Sequence, residues 1–255
     1  MIEKLPQPVI FAHRGASAYA PENTLAAFQL ALEQGAQAIE FDVKLSADGD
    51  VVVIHDQTVD RTTNATGDVA RLPLADLREL DAGAWFGAGF RGEKIPTLHE
   101  VFAAFGETLL MNIELTNYAT PFDALVPKVV DLIKKYGLER QVWFSSFYPH
   151  NLMRAARLLP SVPRAQLIWP GRAGGWQRVW GRIINVQAEH PWQGDITAAY
   201  VENAHQRNRR VHSWTVNDPS DMRRLSALQI DGIFTDDPIA ALKILHTLTG
   251  TRRPS

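Results

Sequence analysis

The chain has 255 residues, of which 45% are hydrophobic and 21% charged, a globular balance that excludes disorder and fibrous repeats. Its 26 Lys and Arg against 28 Asp and Glu leave a formal charge of -2, so no global basic field exists to hold nucleic acid by its phosphates. With no cysteine, disulfides, thiolate nucleophiles and Cys-ligated metal clusters fall away together, and any metal must be held by oxygen or imidazole.

Residues 1–8 lack the charged start and apolar core of a secretion signal, and no stretch reaches the roughly 20 apolar residues that span a bilayer. The expectation is a soluble, cytoplasmic protein without membrane insertion. From there, short apolar, β-rich runs recur at 9–12, 38–43, 51–54, 109–115, 142–147, 165–169, 183–186, 210–216 and 230–235. Helical patterns separate most of them; in residues 24–32 the apolar positions fall at i, i+3, i+4 and i+7. Alternation of strand and helix predicts an α/β fold with a parallel sheet.

One pair of runs breaks the alternation. Residues 45–50 are too few for the crossover of a dozen or more residues that parallel strands need, so 38–44 and 51–55 form an antiparallel hairpin. Asp48-Gly49 is the preferred dipeptide of a two-residue type I′ turn. With that loop the register sets Asp42 opposite His55, with Cβ atoms roughly 4.5–5.5 Å apart.

Setting the return strand aside leaves eight strands alternating with helices, the arithmetic of a (β/α)8 TIM barrel. Residues 1–255 read as one barrel domain, with a small insertion lobe at about 56–95 after the second barrel strand and a short helix near 74–80 inside it. The helical pattern resumes after Pro96 with Thr97 as N-cap and Glu100 in capping-box spacing.

In such barrels the reactive groups sit at the carboxyl ends of the strands. The first strand ends in His13-Arg14-Gly15, the second carries Glu40 and Asp42 on one face, and the third barrel strand carries Asn112 and Glu114. Glu40, Asp42 and Glu114 are costly to gather in a barrel mouth unless a cation offsets their repulsion, and a hard dication, Ca2+ or Mg2+, fits oxygen ligands. Arg14 offers a planar fork for an anionic group such as phosphate. His13 and His55 beside the carboxylates suggest an acid and a base. The residues themselves therefore point to metal-assisted phosphoryl transfer or hydrolysis, with the substrate class open.

The runs Ile10-Phe11-Ala12-His13-Arg14-Gly15 with Pro21-Glu22-Asn23-Thr24, Ile39-Glu40-Phe41-Asp42-Val43, and Val53-Ile54-His55-Asp56 closely resemble motifs of the glycerophosphodiester phosphodiesterase family. So do Arg61-Thr62-Thr63, Asn112-Ile113-Glu114, Ser145-Ser146-Phe147, Trp214-Thr215-Val216-Asn217 and Thr235-Asp236, an ordered series over residues 9–245. The resemblance implies a barrel with an insertion at the same place and a Ca2+- or Mg2+-dependent enzyme. It would cleave glycerophosphodiesters into sn-glycerol 3-phosphate and an alcohol. By motif, Glu40, Asp42 and Glu114 are the metal ligands, His13 and His55 the acid–base pair, Arg14 the phosphate clamp and Trp214 a wall for the substrate.

Two departures stand out. The family usually has a Lys two residues after the last metal-ligand Glu, where this chain has Thr116. Residues 169–182 carry three Trp and three Arg and read as a loop, either a lid that receives the alcohol by cation–π contact or a segment packing its Trp on helices. His99, His150, His205, His212 and His246 read as structural, while His190 stands at a strand end. Two other functions compete: a lysophospholipase D-like phosphodiesterase on larger lipids, and a non-catalytic phosphate-ester binding barrel.

Overall fold

The computed structural model describes residues 7–249. Among these residues are nine strands and nine α-helices, alternating except where β2 is followed by β3 and α2 by α3: β1 (Val9–His13), α1 (Leu25–Glu33), β2 (Ala38–Leu45), β3 (Val51–Val53), α2 (Leu74–Glu79), α3 (Leu98–Phe105), β4 (Leu110–Leu115), α4 (Leu125–Tyr136) and β5 (Val142–Ser146). They continue as α5 (Pro149–Leu158), β6 (Arg164–Ile168), α6 (Arg172–Ile184), β7 (Ala188–Pro191), α7 (Ala198–His205), β8 (Arg210–Ser213), α8 (Pro219–Ala227), β9 (Gly232–Thr235) and α9 (Pro238–Thr249). β1 pairs in parallel with both β2 and β9, which closes β1, β2, β4, β5, β6, β7, β8 and β9 into a parallel eight-stranded barrel. No helix among the described residues is long and apolar enough to cross a membrane.

Local chemistry starts the helices where the pattern predicts. Thr24 caps α1 by accepting from the Ala27 amide, and Thr97 with Glu100 forms the expected capping box on α3. Odd residues of β2 and β4, among them Ile39, Phe41, Met111 and Ile113, face outward onto α1, α3 and α4 in the largest apolar cluster. Even residues of the same strands face the barrel axis and are polar at its upper end. Lower down, the axis is plugged by rings: Phe11 stacks on Phe234 at 4.7 Å, and His212 tilts against Phe11 and Trp143.

The hairpin of β2 and β3 forms, but one residue out of the predicted register. Val43 opposes Val53 and Leu45 opposes Val51, so Ile54 rather than His55 stands across from Asp42, and its amide donates to the Asp42 carbonyl at 3.0 Å. The loop holds three residues rather than two: the Gly49 amide closes a turn on the Ser46 carbonyl, Gly49 takes φ 86°, and Ser46 pairs with Asp50. A turn followed by a left-handed glycine is the other common short hairpin.

The run at 183–186 is also not a strand. Ile183 and Ile184 end α6, Asn185 in the left-handed region caps it, and the sixth barrel strand is Ala188–Pro191. The Trp- and Arg-rich segment read as a loop is thus mostly the 13-residue helix α6. Between β3 and α3 lies the inserted stretch, whose Val59, Val69, Leu77, Ala82 and Ile95 cluster with Val52 and Ile54.

Candidate active site

Parallel register builds the site. His13 lies beside Glu40 across β1 and β2, while Glu40 lies beside Asn112 and Asp42 beside Glu114 across β2 and β4. One carboxylate oxygen from each of Glu40, Asp42 and Glu114 falls within 4.8 Å of the others. His13, Arg14, Glu40, His55, Asn112 and Glu114 line one side of a cavity of about 150 Å3 at the carboxyl ends of the strands. Asp42 lies beneath it, 1% exposed.

Burial and mutual repulsion oppose the charges of this trio. Burial first, then Asp42, pushes the Glu114 carboxyl up to about 8 and the Glu40 carboxyl well above its ordinary value. At Asp42 burial acts the same way, but Arg14, His55 and Lys44 together outweigh it and hold its carboxyl below the usual value. Asn23 adds a hydrogen bond to Asp42 at 3.0 Å, and the Tyr118 hydroxyl donates to Glu114 at 2.8 Å. The Asn112 side-chain oxygen is buried with no partner among the described residues.

The backbone bends sharply to bring Arg14 here. Arg14 takes φ 57° and Gly15 φ 87°, and a side chain at Gly15 would meet the Ala27 backbone at 2.7 Å. A left-handed non-glycine residue is a local strain that surrounding contacts must sustain, and the Arg14 amide donates to Glu40 at 3.1 Å. The Arg14 guanidinium is engaged as well, donating to Glu22 at 2.8 Å and standing 3.5 Å from Asp42.

Each imidazole is held on one nitrogen by a carboxylate. His13 Nδ1 lies 2.7 Å from Asp236 and its Nε2 lies 4.0 Å from Glu40. His55 Nδ1 lies 2.6 Å from Asp56. In both, Nδ1 is the anchored atom and Nε2 is left for chemistry, the arrangement that fixes tautomer and ring orientation. His55 lines the cavity despite the shifted register, because the β3 ladder stops at Val53 and the chain bends at His55. A continuing strand would have sent its ring to the opposite face.

Sequence reading named Asp236 and Asp56 only within family-like motifs, not as anchors, and did not single out Lys44. Asp236 follows the last barrel strand, so its position at a carboxyl end was a usable signal. Lys44 sits two residues beyond Asp42 on the inward face, and its ammonium donates to Thr116 Oγ1 at 2.6 Å and to the His55 carbonyl at 2.7 Å. Burial pushes it down to about 8 against the pull of Asp42 and Glu114. The cation beside Thr116 therefore comes from the neighbouring strand.

The rest of the cavity lining is largely aromatic and apolar. Trp214 belongs to it, donates from Nε1 to the His190 carbonyl at 2.6 Å and meets Phe147 edge-on, while Trp169 stacks on Phe147 at 4.1 Å. His190 reaches the cavity but is fully buried against His212 at 3.1 Å, and burial pushes both below the ordinary imidazole range. His99, His150 and His205 are hydrogen-bonded elsewhere, and the His246 side chain lies outside the described residues. A larger groove of about 350 Å3 between α6 and α7 shares no lining residue with this cavity.

Residues 13–240 match the model of the glycerophosphoryl diester phosphodiesterase family. The chain is 38% identical over 239 residues to a glycerophosphodiester phosphodiesterase of Caldanaerobacter subterraneus subsp. tengcongensis, covering 93% of this chain and 98% of that one. It is similar to an Oleispira antarctica phosphodiesterase solved with the product sn-glycerol-3-phosphate, with TM-score 0.86, 32% identity, and coverage of 94% and 97%. It is also similar to a glycerophosphodiester phosphodiesterase structure from Agrobacterium tumefaciens, with TM-score 0.81, 29% identity, and coverage of 92% and 100%. With a closed parallel barrel, acidic and imidazole groups at its carboxyl end, and a family match along nearly its whole length, the chain belongs to the glycerophosphoryl diester phosphodiesterase family.

Proposed function

We propose that the chain hydrolyses glycerophosphodiesters to sn-glycerol 3-phosphate and an alcohol, as one barrel domain with an insertion lobe at about 56–95. The observation that carries this is the meeting of three carboxylates within 4.8 Å with two anchored imidazoles and an arginine around one cavity. The Oleispira relative, solved with sn-glycerol-3-phosphate, supports the product class.

Glu40, Asp42 and Glu114 would hold a divalent cation, Ca2+ or Mg2+. Three acids whose repulsion is only partly offset by Arg14 and Lys44, beside an unpaired Asn112 oxygen, make a hard-donor set suited to such an ion. When bound, the cation neutralises the trio and supplies Lewis-acid polarisation to the phosphodiester. Arg14 orients the phosphate through its fork. One imidazole takes the proton of the attacking hydroxyl at Nε2, and the other gives a proton to the departing alcohol. Asp236 and Asp56 hold the rings so that Nε2 faces the cavity, and Trp214 with Phe147 walls off the alcohol side.

Release of glycerol 3-phosphate from glycerophosphocholine, with and without chelator, tests the reading. His13→Ala and His55→Ala should each lower kcat by about 10²–10⁴-fold. Turnover within about threefold of the parent in either variant would refute the assigned roles, since proton transfer is worth far more. Faster turnover of lysophosphatidylcholine would favour the larger-lipid activity, and binding without metal-dependent turnover the non-catalytic barrel.

A further inference from the structure

The inserted stretch contributes a residue that reaches two parts of the site at once. Arg61 donates from Nη1 and Nη2 to the two oxygens of Glu22 at 2.7 and 2.8 Å. From Nε and Nη2 it donates to the two oxygens of Asp56 at 2.7 and 3.1 Å. Each carboxylate carries on to a group of the site: Asp56 to His55 Nδ1 at 2.6 Å, and Glu22 to the Arg14 guanidinium at 2.8 Å. The result is an unbroken chain from Arg14 through Glu22, Arg61 and Asp56 to His55.

We infer that Arg61 is a positioning residue, which grips Glu22 and Asp56 together and so fixes the phosphate-clamping Arg14 and the acid–base His55 relative to each other. This rests on the roles given to His55 and Arg14 above. A planar fork is what the position requires, because two edges of one guanidinium must each meet a carboxylate bidentately. A lysine has one point of charge and cannot span both. The side chain is 45% exposed, and exposed ion pairs contribute little to stability, so what Arg61 supplies is geometry rather than folding energy. Its guanidinium is the leading reason that the Asp56 carboxyl titrates far below its ordinary value, and it helps outweigh burial at Glu22.

The inserted stretch is built to present this residue. The Val59 amide donates to the Gly67 carbonyl at 3.0 Å, the Gly67 amide donates to Asp60 at 3.0 Å, and Thr63 Oγ1 donates to the Val59 carbonyl at 2.8 Å. Val59 itself is anchored in the apolar cluster of the insertion. Arg14 and His55 leave different strands and share no direct bond, so without this bridge Arg14 keeps only Glu22 and its approach to Asp42, and the His55 ring only Asp56.

Steady-state kinetics on glycerophosphocholine at saturating metal test the inference with R61A, R61K, D56N, E22Q and R61A/D56N. D56N should lower kcat with KM nearly unchanged, and E22Q should chiefly raise KM. R61A should do both, with kcat falling roughly 10–100-fold, as for other residues that orient an imidazole from behind. In kcat, R61A/D56N should fall no more than about twofold below D56N, because on the His55 arm the two act through one bond, while its KM should rise as in R61A through the Glu22 arm. R61K should recover little, and added guanidinium should partly rescue R61A. The melting temperature of R61A should stay within about 2 °C of the parent.

A second readout does not need turnover. The proton NMR resonance of the His55 Nδ1–H bonded to Asp56 should be downfield in the parent and lost or moved upfield in R61A. R61A kinetics within about twofold of the parent, multiplicative losses in R61A/D56N, or an unmoved Nδ1–H resonance would each overturn the inference. A parent without turnover but with an Arg61-dependent resonance would instead overturn the proposed function and keep the bridge.

Discussion

Removing a carboxylate from the acidic trio should stabilise the metal-free protein. The perturbation is Glu114→Gln, studied in chelator. The trio's oxygens lie within 4.8 Å of one another, and two unit charges at that spacing repel by about 3 kcal/mol at an effective dielectric near 20. Asp42 supplies that charge, because Arg14, His55 and Lys44 keep it ionised. Burial and Asp42 raise the Glu114 carboxyl to about 8 in the folded state, from an ordinary value of 4.5. A raised carboxyl means that the folded state holds its proton more tightly than the unfolded chain does. The associated stability is complete below 4.5 and is lost as pH rises through about 8. Gln carries no such cost. Differential scanning calorimetry should find the variant and parent nearly equal at acid pH. Near pH 8.5 the variant should melt about 6–12 °C higher, taking about 2–4 °C per kcal/mol for a chain of this size. On the proposed function, millimolar Ca2+ or Mg2+ should reverse the order, since only the parent keeps all three proposed carboxylate ligands. A variant no more stable than the parent at alkaline pH in chelator, or a difference independent of pH, would refute the electrostatic argument.

Asp236→Asn should lower kcat on glycerophosphocholine roughly 10–100-fold while leaving metal affinity, measured by calorimetric titration, unchanged, because it holds His13 and touches none of the acidic trio. Trp214→Ala should raise KM for glycerophosphocholine more than it lowers kcat, as expected of a wall that binds the alcohol rather than a group that moves protons. Gly15→Ala should cost about 3 kcal/mol or more in urea unfolding, because φ 87° is unfavourable for alanine and the new methyl meets the Ala27 backbone at 2.7 Å. Thr97→Ala should cost about 1 kcal/mol by opening the capping box of α3, with kinetics unchanged.

Glu40 and Asp42 could be assigned to one face because the strand period is two, and that holds whatever surrounds β2. The hairpin that follows was legible in kind but not in count. Asp48-Gly49 suits a two-residue loop, yet here Gly49 ends a three-residue one, with Ser46 Oγ bonding Asp48 at 2.6 Å and accepting from the Asp50 amide at 2.9 Å. Local preference does not separate loops that differ by one residue. The β-branched run at 183–186 failed for a related reason. Its Ile183 and Ile184 extend α6, and the strand begins at Ala188, where pairing with Ala165 on one side and Arg210 on the other becomes possible. Pairing on both edges, not propensity, sets where a buried parallel strand starts.

What the sequence determined by itself was local and periodic: strand alternating with helix, carboxylates spaced to share a face, the capping box that starts α3, and the ordered motifs that carry the family resemblance. Only the tertiary structure decided which distant groups complete the site. Asp236 reaches His13 across 223 residues because barrel closure sets β9 beside β1, and Arg61 reaches Glu22 across 39 because the inserted stretch folds back over the mouth. The physical reason is that a side chain's spacing along the chain follows from backbone geometry alone, whereas contacts between remote segments exist only after long loops have closed and buried enough apolar surface to hold them.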